Sequence, residues 1–347
     1  MARHPARNVP INLESVVYGL RKYILKRILI SIVLLFFVSL VIYGIMRCIP
    51  TSFVEKRARE MASLPGGKSY TQWLTELNEI YHMDSNVISG YFSWVGTAIT
   101  GDFGESWQYN VPVIEKFREV IWDSFWLAFI TLILRVVISI PLGILSARKQ
   151  YSRTDYAVTV FALIGISLPT FFFATILKLV FSIQLGWLDL YGKVGRFYSQ
   201  LSPFGQFLDI AKHYIMPILT LTLVNVGDLM RYTRTNMLEV LNSDFIRTAR
   251  AKGLSERVVV NKHAFRNTLI PIVTIIGGTL PGLFGGAMIT ETLFQIPGIG
   301  YTSYQAMVNA DIPFTMFYML FMAVLTLLGT LIADILYAVV DPRVRIS

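Results

Sequence analysis

Residues Ala62-Ser63-Leu64-Pro65-Gly66-Gly67-Lys68-Ser69 carry the spacing of a phosphate-binding loop, with Ala in place of the first glycine and a closing Gly-Lys-Ser. In such a loop, backbone amides and the lysine hold nucleotide phosphates between a buried strand and a helix N-terminus. The run before Ala62 is Glu55-Lys56-Arg57-Ala58-Arg59-Glu60-Met61, too charged for a buried strand, so the match reads as a loop turn. His4, His82, His213 and His263 are scattered, with no H-E-x-x-H helix and no G-x-S-x-G elbow. The single cysteine, Cys48, has no internal disulfide partner, and no Cys/His spacing suits a metal. No catalytic residue, metal or cofactor is assigned to the chain, and any nucleotide chemistry is expected on another one.

A second constellation is Ser243-Asp244-Phe245-Ile246-Arg247-Thr248-Ala249-Arg250-Ala251-Lys252-Gly253-Leu254-Ser255-Glu256-Arg257. Ser243 or Asp244 suits the N-cap of a short helix through Lys252, and Gly253 suits the left-handed residue that ends one. Ser255 is placed to cap a second helix through Val258, Val259, Val260 and His263 to Phe265. The segment has an apolar side and eight basic residues if Arg231 and Arg234 are included. A solvated tether needs neither caps nor an apolar side, so a docking surface for a protein partner is expected here.

The elements that position this segment follow from hydropathy. Of the 347 residues, 54% are hydrophobic and 15% charged, more apolar surface than one water-soluble core can bury. Six stretches match the length of apolar chain that crosses a bilayer, near 28–46, 122–146, 156–185, 213–233, 269–292 and 314–339. Pro169, Pro217, Pro271 and Pro281 fall inside the third to fifth stretches. They predict kinks or breaks where neighbouring helices or cavity water satisfy the freed carbonyls. The first stretch follows Arg21, Lys22, Lys26 and Arg27 and ends at Arg47 and Pro50 without a small-residue cleavage site, so a retained helix is expected. The predicted fold class is an all-α membrane protein with six transmembrane helices.

A net charge of +9 can signal nucleic acid, but the basic residues crowd the ends of the apolar runs, where they set topology. Segment 1–27 carries Arg3, Arg7, Arg21, Lys22, Lys26 and Arg27; the next loop on that side carries Arg148, Lys149 and Arg153. Segment 234–268 adds Arg247, Arg250, Lys252, Arg257, Lys262 and Arg266, and the tail 340–347 adds Arg343 and Arg345. That side is predicted to be the cytoplasm, with both termini on it. Across the membrane, 295–313 has no Lys or Arg, and 186–212 has Lys193, Arg196 and Lys212. The outer segment 47–121 is predicted to hold a small helical element, since Trp73, Leu77, Ile80 and Tyr81 recur at helical spacing and Tyr91, Phe92, Trp94 and Val95 cluster. These aromatics fit either an external partner or a cover over the helix ends.

Arg247-Thr248-Ala249 followed by Gly253 resembles a variant of the E-A-A-x-x-x-G signature of the inner-membrane permease subunits of ABC importers for dipeptides, oligopeptides and nickel. Arg247 and Thr248 replace Glu and Ala, and the stretch from Gly253 to Pro271 is longer than in the sugar-permease branch; the peptide-type branch shares both departures. His263-Ala264-Phe265-Arg266-Asn267, Leu269-Ile270-Pro271, Gly101-Asp102-Phe103-Gly104-Glu105-Ser106 and Glu291-Thr292-Leu293-Phe294 are similar too. So are Ile296-Pro297-Gly298-Ile299-Gly300 and the closing Asp341-Pro342-Arg343-Val344-Arg345, while Thr51-Ser52-Phe53 stands where G-D-P is usual and 55–80 is idiosyncratic. The resemblance implies the type I ABC importer permease fold over 122–339 and cargo of peptide, with nickel or oligosaccharide as alternatives. It implies a second homologous permease, two ATPase subunits that use ATP and magnesium, and an extracytoplasmic substrate-binding protein. It also implies that Asp244, Phe245, Arg247, Thr248, Ala249, Arg250, Lys252, Gly253, Leu254 and Ser255 form a coupling helix seated in an ATPase groove. There Ala249 and Gly253 permit close approach, and Arg247, Arg250 and Lys252 either meet an acidic rim or only signal topology.

Ionisable residues within apolar runs are expected to face a cavity or a partner. Lys178, Asp228, Arg231 and Glu291 are the candidates for a translocation path, although Lys178 and Arg231 are long enough to snorkel to an interface. Asp334 is close enough to the cytoplasmic end to meet headgroups or a basic neighbour. Gly278, Gly282 and Gly286, spaced by four, predict a small-residue face on the fifth span for a subunit interface, a gate or packing within one subunit. A secondary transporter would share the broken spans but needs repeated halves and ion-coupling acids. A membrane enzyme needs converging catalytic groups. Neither pattern is visible.

Overall fold

The computed structural model describes residues 13–48, 52–64, 68–80 and 86–340. Arg3, His4, Arg7, Tyr81, His82, the stretches 49–51 and 65–67, and the tail with Asp341, Arg343 and Arg345 lie outside the described residues. After α1 (Leu13–Cys48) come three short helices, α2 (Ser52–Ala62), α3 (Tyr70–Ile80) and α4 (Val87–Ile99). Then follow α5 (Val113–Arg148), the bent pair α6 (Arg153–Ser167) and α7 (Thr170–Leu177), and the long α8 (Pro203–Leu241). Two short helices, α9 (Asp244–Ala251) and α10 (Glu256–Val258), lead through the π-helical turn Val259–Ala264 into α11 (Phe265–Thr279). The chain closes with α12 (Met288–Phe294), α13 (Ile299–Val308) and α14 (Ile312–Val340).

Four segments, Tyr23–Met46, Val113–Arg148, Pro203–Leu241 and Ile312–Leu336, are long and apolar enough to cross a membrane as single helices. Two bent pairs raise the number to six if each pair is one span. Helices overrun their apolar stretches. At 39 residues, α8 is roughly 58 Å long, against a hydrocarbon layer of about 30 Å. It starts ten residues before the apolar run at 213 because Pro203 sits at its first position and Ser202 Oγ accepts from Gly205 N at 3.2 Å.

The third and fifth spans depart from the expected single runs. Arg153–Ser167 and Thr170–Gln184 meet at 102°: Pro169 removes a helical donor, and Leu168 before it is extended (φ −90°, ψ 133°). The fifth span ends at Phe284 rather than at 292. Pro281 opens a 3₁₀ turn and Gly286 takes φ +79°, so Met288–Phe294 becomes a separate helix. At its other end the loop helix expected to stop at Phe265 runs on into α11, since nothing in Val259–Ala264 terminates it.

One end of the bundle is held by Ile246, Ala249, Val259, Val260 and Ala264 packed on Ala147, Met237 and Leu241. Here Asp155, at the start of α6, accepts both Nε and Nη2 of Arg234 at 2.9 Å, the Ser146 hydroxyl, and Tyr151 N at 2.9 Å. That buried carboxylate ties α5, α6 and α8 together. At the opposite end, Leu77 and Tyr91 pack on Ile42, Tyr43 and Met46 of α1 and on Ile312 and Met316 of α14, with Trp73, Trp94 and Val95 alongside. Trp73, Tyr91 and Trp94 therefore cover helix ends while Phe92 is exposed, and Ser39 Oγ lies 2.8 Å from the Tyr91 hydroxyl. The stretch at 101–106 is fixed there as well, because the Ser106 hydroxyl and Gln108 N (3.2 Å) both donate to Asp311 at the root of α14.

Removing Asp155 strands a guanidinium that is only a quarter exposed. Breaking a buried pair costs about 3–5 kcal/mol, and Arg234's partial exposure places Asp155→Ala at the lower end. The midpoint of heat unfolding in detergent should fall clearly for Asp155→Ala and much less for Ser146→Ala; equal midpoints would refute the latch.

Candidate coupling helix and translocation cavity

The helix α9 buries Ile246 and Ala249 and exposes the rest of its surface. Its end is a Schellman closure: Leu254 N donates to Ala249 O at 3.4 Å and Gly253 N to Arg250 O at 2.9 Å, with Gly253 at φ +76°. A Cβ at Gly253 would meet nothing within 4 Å, so the left-handed backbone alone selects glycine. Ser243 and Ser255 occupy N-cap positions without side-chain caps. The Ser243 hydroxyl instead donates to Val240 O at 2.6 Å, satisfying an orphan carbonyl at the end of α8. Arg250 spans the turn to Glu256 through bonds of 3.1 and 2.8 Å, which raise its guanidinium above the ordinary value. Both groups are about half exposed, so the pair contributes about 1 kcal/mol or less. Of the ten expected coupling residues, Asp244, Arg247, Thr248, Lys252, Gly253 and Ser255 are exposed, and Phe245 and Leu254 add 48% and 39% exposed apolar side chains beside them.

The path candidates do not converge. Lys178 Nζ donates to Leu293 O at 2.7 Å and sits 5.5 Å from the Phe294 ring, a cation at the C-terminal end of α12. Glu291 is fully buried: its carboxylate accepts Ser124 Oγ at 2.7 Å, Ala287 N at 2.8 Å and Tyr301 N at 2.9 Å, while Ser124 Oγ accepts Ile299 N at 2.8 Å. It replaces the backbone partners lost where the fifth span breaks. Asp228 and Arg231 are exposed on α8. Asp334 has a basic neighbour, with Arg27 Nε 3.0 Å away.

A cavity of about 750 Å³ lies between α5, α8, α11 and α14. Gly278, Gly282 and Gly286 all line it, though not as one helix face: the first is in α11, the second in the 3₁₀ turn, the third beyond the break. At Gly278 a Cβ would stand 3.1 Å from Ala333 Cβ, so this position packs α11 on α14 within the subunit. The charged residues at the wall are Arg135 and Asp334. Arg135 was legible in principle, being the one basic residue inside 122–146 and subject to the same reasoning that selected Lys178. The phosphate-loop-like stretch holds no such site among its described residues. Helix α2, not a strand, leads into it, and Lys68 pairs with Glu76 while lying 4.9 Å from the Trp73 ring.

Residues 139–346 match the family model described as binding-protein-dependent transport system inner membrane component. The chain is 37% identical to the oligopeptide transport system permease protein AppB of Bacillus subtilis, over 93% of this chain and 99% of that one. It is 33% identical to the dipeptide transport system permease protein DppB of Alkalihalophilus pseudofirmus, with the same coverage of each. The oligopeptide transport system permease protein OppB of Salmonella typhimurium is also 33% identical, again over 93% and 99%. The fold matches a chain of the MetNI methionine ABC transporter, solved in inward-facing conformations, at 18% identity and a TM-score of 0.51, over 66% of this chain and 97% of that one.

If Glu291 serves the backbone and not cargo, its replacement must act on stability. Glu291→Gln turns an acceptor toward donors as a donor, and each donor left unpaired costs about 1–3 kcal/mol. Heat unfolding of the detergent-solubilised protein should shift to lower temperature for Glu291→Gln and further for Glu291→Ala. A wild-type midpoint accompanied by lost transport would return Glu291 to the path.

Proposed function

The chain belongs to the family of binding-protein-dependent transport system inner membrane components, and on that premise we propose that it forms half of the peptide path of an ATP-driven importer. It is a transport permease of the inner membrane and not a catalytic subunit. In the proposed complex a second, homologous permease supplies the other half of the path. Two cytoplasmic ATPase subunits bind ATP and magnesium, and an extracytoplasmic binding protein delivers cargo. Peptide is the cargo class because the relatives that cover nearly the whole chain are named for oligopeptide and dipeptide transport.

The observation that carries the coupling role is the construction of α9. Its buried side is part of one apolar cluster with the ends of α5 and α8 and the start of the fifth span, while Phe245, Leu254 and the basic residues face outward. A partner that grips this surface moves α8 and α11 with it as one body. ATP-driven closure of the ATPase pair would then turn the permease pair outward, and hydrolysis would reset it. The basic residues of the loops at this end support a cytoplasmic location for it.

Phe245 is about half exposed, so Phe245→Ala should change stability by about 0.5 kcal/mol or less and leave the heat-unfolding midpoint of the complex close to that of wild type. It should nonetheless reduce the ATPase stimulation produced by loaded binding protein several-fold. Gly253→Val forces a β-branched residue to positive φ, at about 1–3 kcal/mol, and should abolish that stimulation in complexes that still assemble. Wild-type stimulation and uptake in both variants would remove α9 from the coupling path.

A further inference from the structure

Two charged side chains line the cavity, and they differ in one respect. Asp334 Oδ2 has a counter-ion, Arg27 Nε at 3.0 Å, although the contact lacks hydrogen-bond geometry. Arg135 has no hydrogen bond or ion pair among the described residues, and its Nε is buried without an acceptor. Asp228 of α8 acts on it only through space. Asp228 lies one turn beyond Asn225 on the stripe Leu221, Asn225, Asp228, toward the basic end. A guanidinium left open in this way at membrane depth is expensive unless something arrives to meet it.

The polar walls have the complementary character. Thr131, Thr279, Thr326 and Thr330 each donate their hydroxyl proton to a carbonyl of their own helix, at 2.7 to 3.0 Å. Asn225 Nδ2 likewise donates to Leu221 O at 2.7 Å. What the threonines leave to the cavity is oxygen lone pairs, and Asn225 leaves its Oδ1 together with one N–H. Such walls repel a bare anion, and the guanidinium repels a bare metal cation. They suit a ligand that carries N–H donors along its length and one planar anionic group at an end. Carboxylate is the group whose geometry a guanidinium matches in bidentate fashion. The volume, about 750 Å³, is within the roughly 300–1,000 Å³ of small-molecule sites.

We propose that Arg135 is a specificity-determining residue of the path and receives the C-terminal carboxylate of peptide cargo in transit, while the threonine and Asn225 oxygens accept from its N–H groups. The inference rests on the peptide reading given above. Asp228 acts on the guanidinium only through space, so no bonded carboxylate has to be displaced when cargo arrives.

The test uses the whole transporter in lipid vesicles, with its binding protein saturated by trialanine or by trialanine amide. Wild type should take up the free acid faster than the amide. Arg135→Gln should lower the acid-to-amide ratio about tenfold or more, the loss expected for one charge-assisted bond pair, and Arg135→Lys should retain part of it. Equal losses for both peptides would make Arg135 structural and overturn the proposal. So would rescue of Arg135→Gln by adding Asp228→Asn, which would mean that the two residues form a gate pair. A wild-type complex that moves neither peptide removes the peptide reading and the proposal with it; one that moves both alike removes the proposal alone. A second measurement does not depend on cargo. With Cys48→Ser and Leu132→Cys, the cavity cysteine should react with an anionic thiosulfonate several-fold faster, relative to a cationic one, when Arg135 is present than when it is Gln. An unchanged ratio would show that the guanidinium does not act on the cavity, and would overturn the proposal.

Discussion

A chain inside hydrocarbon has no water to complete its hydrogen bonds, so every interruption of a helix must be repaired by the protein itself. The two broken spans show how the repair is done. Beyond the break in the fifth span, Glu291 takes up Ala287 N and Tyr301 N, and Ser124 of α5 takes up Ile299 N. The carbonyls at the end of α12 are satisfied from the third span and the loop after it, Leu293 O by Lys178 and Phe294 O by Gly192 N at 2.8 Å. The far end of the third span thus meets the segment beyond the break in the fifth, next to the cavity that Gly286 and Ala287 help to line. An anionic acceptor and a cationic donor sit in the membrane region for the sake of the backbone.

That division explains which parts of the protein were legible in its sequence. The prolines at 169 and 281 announced the breaks, and Gly253 announced the end of α9, because each acts through its own backbone. The rejection of the phosphate-loop match was readable from the charged run before it, which forms helix α2 and not a buried strand. The main-chain partners of Lys178 and Glu291 were not readable. Composition says that a buried charge needs a partner, but whether the partner is cargo or a main-chain group 115 residues away, as for Lys178 and Leu293, depends on tertiary contact. The glycines at 278, 282 and 286 misled for a related reason: a periodicity of four describes a helix face only where the helix persists, and here it ends between the first and the third. The serines at 243 and 255 fit the cap preference and hold the cap positions. Even so, the Ser243 hydroxyl serves the preceding helix, a competition that local sequence does not resolve.

The other end of the molecule is built on the opposite principle. There the loop is exposed, and water can satisfy its polar groups, yet it is ordered by a Schellman closure, an Arg250–Glu256 bridge and two buried side chains on an eight-residue helix. None of these is large alone. Together they make α9 continuous with the ends of α5, α8 and the fifth span, and the Asp155–Arg234 latch extends that unit to α6. α9 is thus packed against the same helices whose further parts line the cavity.

The same lipid constraint shapes the walls of the cavity. A threonine in a membrane helix lowers the cost of its hydroxyl by bonding to the carbonyl one turn back, and all four cavity threonines do so. The bond fixes the hydroxyl as an acceptor toward the cavity, so the need to satisfy each helix also sets the polarity of the path. Acceptor walls alone would pass any ligand rich in N–H groups. An arginine without a fixed partner adds the one element they lack, a requirement for negative charge. Because the nearby carboxylate of Asp228 acts on it only through space, no bonded carboxylate has to be displaced before that requirement is met.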